Sequence, residues 1–217
     1  MEHVLKFLKD LTKNNNRDWF EKNKARYVEA KNAFEVFLEE FHRELVLIDE
    51  SLAGLNPRKQ AFRIYRDVRF SKDKRPYKIN MGAGFSPGGK MMQEPGYYIH
   101  IEPGNCFVAS GLYQPDPENL AKVRQEIDYN ADAFLHILKN KSFRKYFDGL
   151  DDFDRVKTAP KGYPKDHPQI EVLKNKSFII SHAFTDQQAK ERNFYKQVVA
   201  ACRAAKPFND FLKEAIS

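Results

Sequence analysis

A chain of 217 residues that is 41% hydrophobic and 13% aromatic, with 18 Phe and 10 Tyr, is not a disordered polymer. It is long enough to bury a core without help from a disulfide or a structural metal. The formal charge of +7 admits nucleic acid, anionic lipid or phosphorylated metabolites as partners. No stretch approaches the roughly 18 apolar residues of a membrane span, and the N-terminus lacks the apolar core and cleavage site of a secretory leader. The expected compartment is the cytoplasm. Cys106 and Cys202 are then reduced, and no CxxC or Cys/His spacing supports zinc.

The first predicted element is a short amphipathic helix over residues 4–11, carrying Val4, Leu5, Phe7, Leu8 and Leu11 and broken by Asn14, Asn15 and Asn16. A long helix follows over residues 18–48. Its stripe of Phe20, Tyr27, Phe34, Leu38, Phe41, Leu45 and Ile48 has helical period and faces a core.

Residues 58–78, RKQAFRIYRDVRFSKDKRPYK, hold nine bases and two acids, Asp67 and Asp73. The rest of the chain is balanced at 28 bases and 28 acids, so the whole charge excess lies in this segment. Focused positive potential concentrates anions. The local pattern of FRIYRDVRF fits either a bent strand or a helical turn.

Beyond Pro76, Ile79, Met81, Ala83 and Phe85 alternate with Asn80, Gly82, Gly84 and Ser86, which predicts a strand. Gly82 and Gly84 on its second face allow close approach of a backbone or a ligand. Residues 84–90 fit GxxxxGK, but a phosphate loop needs Ser or Thr next and a helix beyond. Met91 and Pro95-Gly96 supply neither, so residues 86–96 read as a flexible glycine-rich loop.

Residues 97–102 and 106–110 form a predicted hairpin around Glu102-Pro103-Gly104-Asn105, a type II turn signature. Ile99 would face Val108, with Tyr98, His100, Phe107 and Ala109 on the opposite side. Asp116-Pro117 is an N-cap followed by Pro at the first helical position, opening a helix to about residue 128. Helices over 130–139 and 143–147 follow, then an edge strand over 154–157. Asp166 and Gln169 have capping-box spacing and open a helix to residue 174. Residues 178–184 read as a strand, Thr185 and Gln188 as a second capping box, and residues 185–205 and 208–216 as closing helices. The expected fold is a single α+β domain over residues 1–217, a mostly antiparallel sheet from the middle of the chain packed with N-terminal and C-terminal helices.

Six histidines form no HExxH and no close ligand pair, Asp151, Asp152 and Asp154 read as a solvated acidic loop, and no metal is expected. His100, flanked by Tyr98 and Glu102 on one strand face, can act as acid, base or phosphate donor. His167 sits beside its cap Asp166 at a helix start. Both also fit structural, hydrogen-bonded roles.

The segments FRIYRDVRFSKDKRPYK, YYIHIEPG, GLYQPDP and APKGYPKDHP resemble the bacterial and fungal family of domain of unknown function (DUF) 2461, over essentially the whole chain. That family carries no established activity or cofactor. The resemblance implies candidate positions at Arg63, Arg66, Arg69, Lys72, Lys74, Arg75, Tyr77, Lys78, His100, Tyr113, Lys161, Asp166 and His167.

Three functions fit these residues. In the first, Arg63, Arg66 and Arg69 clamp a small phosphorylated or carboxylated ligand by planar bidentate contacts. Lys72, Lys74, Arg75 and Lys78 then steer it, and His100 or His167 transfers a proton, making the protein an enzyme. In the second, the basic segment binds nucleic acid with Tyr65, Phe70 and Tyr77 as stacking surfaces. In the third, the arginines are structural and pair with acids such as Glu94, Glu102 and Asp116.

Overall fold

The computed structural model describes residues 1–90 and 94–217. The reading of residues 91–93 as flexible loop, and of Met91 as the residue that spoils a phosphate loop, lies outside them. Helices α1 (Glu2–Lys13), α2 (Arg17–Lys22) and α3 (Lys24–Val46) precede strands β1 (Met81–Phe85), β2 (Gly96–Ile101) and β3 (Cys106–Leu112). Helices α4 (Pro117–Tyr129), α5 (Ala131–Lys139), α6 (Lys141–Arg144) and α7 (Ile170–Leu173) follow. Strand β4 (Phe178–Phe184) and helices α8 (Asp186–Lys190) and α9 (Phe194–Ile216) complete the chain. The fold is α+β.

The four strands pair antiparallel in chain order, β1-β2-β3-β4. The hairpin has the expected register, Ile99 opposite Val108, with Gly104 at φ +77° in its turn. Period two divides the sheet into two faces. Met81, Ala83, Phe85, Tyr97, Ile99, Ile101, Val108 and Leu112 point to the side where α9 packs on β3 and α3 packs on α9. Phe41 of α3 meets Phe85 edge-on at 5.3 Å, and Phe37 stacks with Phe194 at 5.5 Å. Buried side chains from α1 through α9 form one continuous cluster on that side.

Several boundaries differ from expectation. The helix over 18–48 is two helices, because Asn23 leaves the helical path and its amide donates back to the Trp19 carbonyl. The Asn14–16 break is used twice. Asn16 caps α2 by accepting from Trp19 N, and Asn15 clamps the basic segment by bonding both the N–H and the C=O of Tyr77.

Residues 62–70 are neither strand nor helix; single bridges, Ala61 to Ala83 and Tyr65 to Tyr77, hold them against their neighbours. The sheet strand starts at Met81, not Ile79. The edge strand over 154–157 shrinks to one bridge between Arg155 and Asn175. Asp116 and Thr185 cap as expected, the latter with a full capping box. Asp166 does not cap; α7 starts later, at Ile170, and the His167 ring accepts from Gln169 N instead. The last helix breaks at Glu191 and then runs unbroken from Phe194 through Pro207, where a stop was expected.

Candidate functional site

Helices cover one face of the sheet, which leaves the other to form a cavity of about 640 Å³. Its floor is Tyr98 and His100 of β2, Phe107 and Ala109 of β3, and Ser181 and Ala183 of β4. Phe62 and Lys90 form one wall, and Tyr113, Asp151 and Phe153 the other. The size suits a small organic ligand, and the lining has the usual mixture of aromatic surface and a few polar groups.

At the centre is a chain of hydrogen bonds along the outer face of β2. His100 Nε2 lies 2.9 Å from Glu102 Oε2, and its Nδ1 lies 3.0 Å from the Tyr98 hydroxyl. A carboxylate can only accept, so Nε2 carries the proton and Nδ1 accepts from the Tyr98 O–H. The Asn80 amide also reaches Nδ1, at 3.2 Å. Phe107 stacks on the imidazole at 4.6 Å and fixes its plane, while Asn105 donates to the same Glu102 oxygen at 3.1 Å. Burial, and then the negative charge of Glu102, push the Tyr98 phenol up to about 12, with the Asn80 amide acting the other way.

Across the floor, Ser181 Oγ donates to Asp151 at 3.1 Å. Burial nevertheless pushes that carboxyl above its ordinary range. On the Phe62 wall, the ammonium groups of Lys78 and Lys90 lie 5.4 and 6.0 Å from the ring centroid. Burial, and then the nearby Arg63, lower the Lys78 pKa. Among the described residues, Lys78, Lys90 and Arg63 have no carboxylate within 4.0 Å.

The three arginines of the expected clamp do not share a surface. Arg66 and Arg75 both bind Asp73, at 2.6 and 2.7 Å, and line a separate, shallow pocket. Arg69 folds back on Asp67 at 2.6 Å and lies over the Phe70 ring. Arg63 lines a groove next to the cavity, with Phe62 and Lys90 as the shared wall. The pairing acids lie within the segment itself; Glu102 holds His100, and Asp116 caps α4.

The other candidates separate as well. His100 and Tyr113 line the cavity, whereas Lys78 packs on the Phe62 ring and lines the shallow pocket of Arg66 and Arg75. Tyr77 is buried and stacks on Phe20 at 4.0 Å, so its role is to anchor the segment. Lys72 and Lys74 are exposed, and Lys74 Nζ donates to the Val68 carbonyl. His167 binds Asp128 of α4 at 2.8 Å and ties down the loop before α7. It does not line the cavity, nor do its exposed neighbours Lys161 and Asp166.

Sequence reasoning did not single out Tyr98, Phe62, Lys90 or Asp151 as site residues. Tyr98 was legible from its alternation with His100. Lys90 lay in a rejected phosphate-loop pattern and Asp151 in an acidic loop, so neither carried a local signal. Among the described residues, no group of three or more His, Cys, Asp or Glu side chains could hold a metal ion, and no helix is long and apolar enough to cross a membrane.

Comparison with curated proteins and with solved structures found no match for this chain. The segments that build the cavity, and the Asn15 clamp that supports it, fall inside a family model that matches residues 3–211. The chain therefore belongs to the conserved hypothetical protein family DUF2461.

Proposed function

We propose that the protein binds a small carboxylated or phosphorylated molecule with a flat apolar body in the cavity on the outer face of the sheet. The observation that carries this reading is the Phe62 wall, where two ammonium groups without a carboxylate partner among the described residues flank an aromatic ring. Phe107, Tyr113 and Phe153 add apolar surface for the body of the ligand, and Tyr113 stacks with Phe153 at 6.3 Å. Lys90 in the cavity takes the place of the expected arginine clamp, with Lys78 against the same Phe62 ring and Arg63 in the neighbouring groove adding positive charge. With two buried, unbridged cysteines, the reading places the protein in the cytoplasm.

A thermal-shift panel of nucleotides, sugar phosphates and aromatic carboxylates tests it. At 100 times its Kd a ligand stabilises by about 2.7 kcal/mol. The expected hit raises Tm in the wild type, much less in Lys90→Ala and Lys78→Ala, and fully in Arg66→Ala. No hit across the panel, or a hit indifferent to both lysines, would count against this site.

A second reading rests on Phe70, which is 95% exposed beside the exposed Arg69, Lys72 and Lys74. An exposed ring on a basic loop suits stacking on single-stranded nucleic acid, although the buried Tyr77 cannot contribute. Fluorescence anisotropy at two salt concentrations should then show binding that weakens steeply with salt and is lost in Phe70→Ala.

A further inference from the structure

We infer that Tyr98, and not His100, is the acid–base group that meets the ligand, with His100 as its proton acceptor and Glu102 as the residue that positions His100. The inference rests on the cavity being the ligand site. Both imidazole nitrogens are already engaged, Nε2 by Glu102 and Nδ1 by the Tyr98 hydroxyl, which leaves no ring nitrogen for a substrate. The phenol oxygen is the free end of the chain. It has lone pairs to spare, the Asn80 amide stands close by at the same imidazole nitrogen, and Tyr98 is part of the cavity lining.

The proton movement balances in either direction. When a substrate O–H or activated C–H gives its proton to Tyr98 Oη, the phenolic proton passes to His100 Nδ1, leaving an imidazolium paired with the Glu102 carboxylate. In reverse, the imidazolium returns its proton to Oη as the phenol protonates the substrate. The substrate class is therefore an anionic molecule that loses or gains a proton beside its charged group. With its pKa raised to about 12 the phenol is protonated near neutrality, so it cannot act as a base alone and depends on His100. The other ionisable groups facing the pair are Asp151 across the floor, Lys90 on the wall and Lys78 against the Phe62 ring.

Benzenesulfonyl fluoride tests the relay without knowledge of the substrate. Tyr98 Oη forms a bond to sulfur, the S–F bond breaks, fluoride leaves and the phenolic proton goes to His100 Nδ1. Labelling of the full chain is followed by peptide mass spectrometry over a range of pH, with Tyr129, which is 73% exposed, as the internal reference.

Tyr98 is expected to label at least about tenfold faster than Tyr129. Its rate should be high well below the phenol pKa instead of climbing toward it, because the imidazole takes the phenolic proton. His100→Gln should remove the advantage and leave Tyr129 unchanged. Should that variant not fold, Glu102→Gln retains the shape, and is expected to slow Tyr98 several-fold.

Labelling of Tyr98 no faster than Tyr129, or equally fast in both variants, would overturn the relay. The labelling needs no ligand, so a failed ligand panel and a failed relay are distinguishable results.

Discussion

The hydroxyl of Tyr98 occupies the space a side chain at position 82 would need: a β-carbon built on Gly82 would lie 2.5 Å from that oxygen. The glycine of β1 and the tyrosine of β2 are therefore matched across the sheet, and the match holds the phenol against His100. Gly82→Ala should force the ring aside at a cost of about 1–3 kcal/mol, typical of overpacking. Urea denaturation reads the cost, and the 15N shift of His100 Nδ1 reads the lost hydrogen bond. Combining it with Tyr98→Phe removes the clashing oxygen, so the double variant should lose clearly less than the sum of the two single changes.

A second pairing ties the last helix to the turn after α3. Lys213 Nζ reaches both carboxylate oxygens of the buried Asp49, at 3.0 and 3.2 Å, and the Tyr97 hydroxyl donates to the same group at 3.3 Å. Burial raises the Asp49 pKa, but hydrogen bonds from Ser51 and Lys213 outweigh it and hold the carboxyl below its ordinary value. Lys213→Met leaves that charge buried without its cation, and should cost about 3 kcal/mol at pH 7. Because the native pKa is the lower one, the contribution of the pair is present above the ordinary carboxylate range and fades as pH falls toward the native value. The gap between wild type and variant, followed by urea denaturation from pH 7 to pH 3, should narrow accordingly.

The basic segment keeps its shape through ionic staples of its own. Asp73 receives Arg75 and Arg66, and these contacts, the Arg75 hydrogen bond first, hold its carboxyl well below the usual range. The groups are solvent-exposed, so global stability should hardly respond to Asp73→Asn. Local order should respond. Freed of the staple, the backbone around the already exposed Arg69, Lys72, Lys74 and Arg75 can adapt to the trypsin active site, and limited proteolysis should nick residues 66–75 several-fold faster than in the wild type. Unchanged nicking would mean that the Tyr77 anchor alone fixes the loop.

Elements set by local periodicity or capping were legible in the sequence. The β2–β3 hairpin, the Asp116 and Thr185 caps and the α+β layering follow from alternation and from side chains that accept backbone hydrogens nearby. The basic segment was visible, but its wiring was not. Whether Arg66 meets a ligand or Asp73 depends on how residues 66–75 fold back, and charge counting carries no information about that. The cavity was half legible. Tyr98, His100 and Glu102 share one strand face by period two, whereas Phe62, Lys90, Tyr113, Asp151 and Phe153 come from four other segments joined only by tertiary packing.

Pro207 shows the same contest between local rule and packing. Proline has no N–H, so the Arg203 carbonyl one turn earlier lacks its helical donor, and the pyrrolidine ring crowds that turn. The helix persists because Ala204, Ala205, Phe208, Phe211 and Leu212 of the same stretch are buried, and breaking it would expose them. Pro207 itself is exposed, so its ring contributes little packing in return. Pro207→Ala should recover most of the ~3 kcal/mol a helix-interior proline costs, less roughly 0.4–1 kcal/mol for the looser unfolded chain. The expected gain is about 2 kcal/mol, a rise in Tm of roughly 5 °C for a chain of this size. A fall in Tm on differential scanning calorimetry would reverse the assignment: the proline, which lines a groove with Tyr146 and His136, would then be shaping that groove and not merely tolerated beside it.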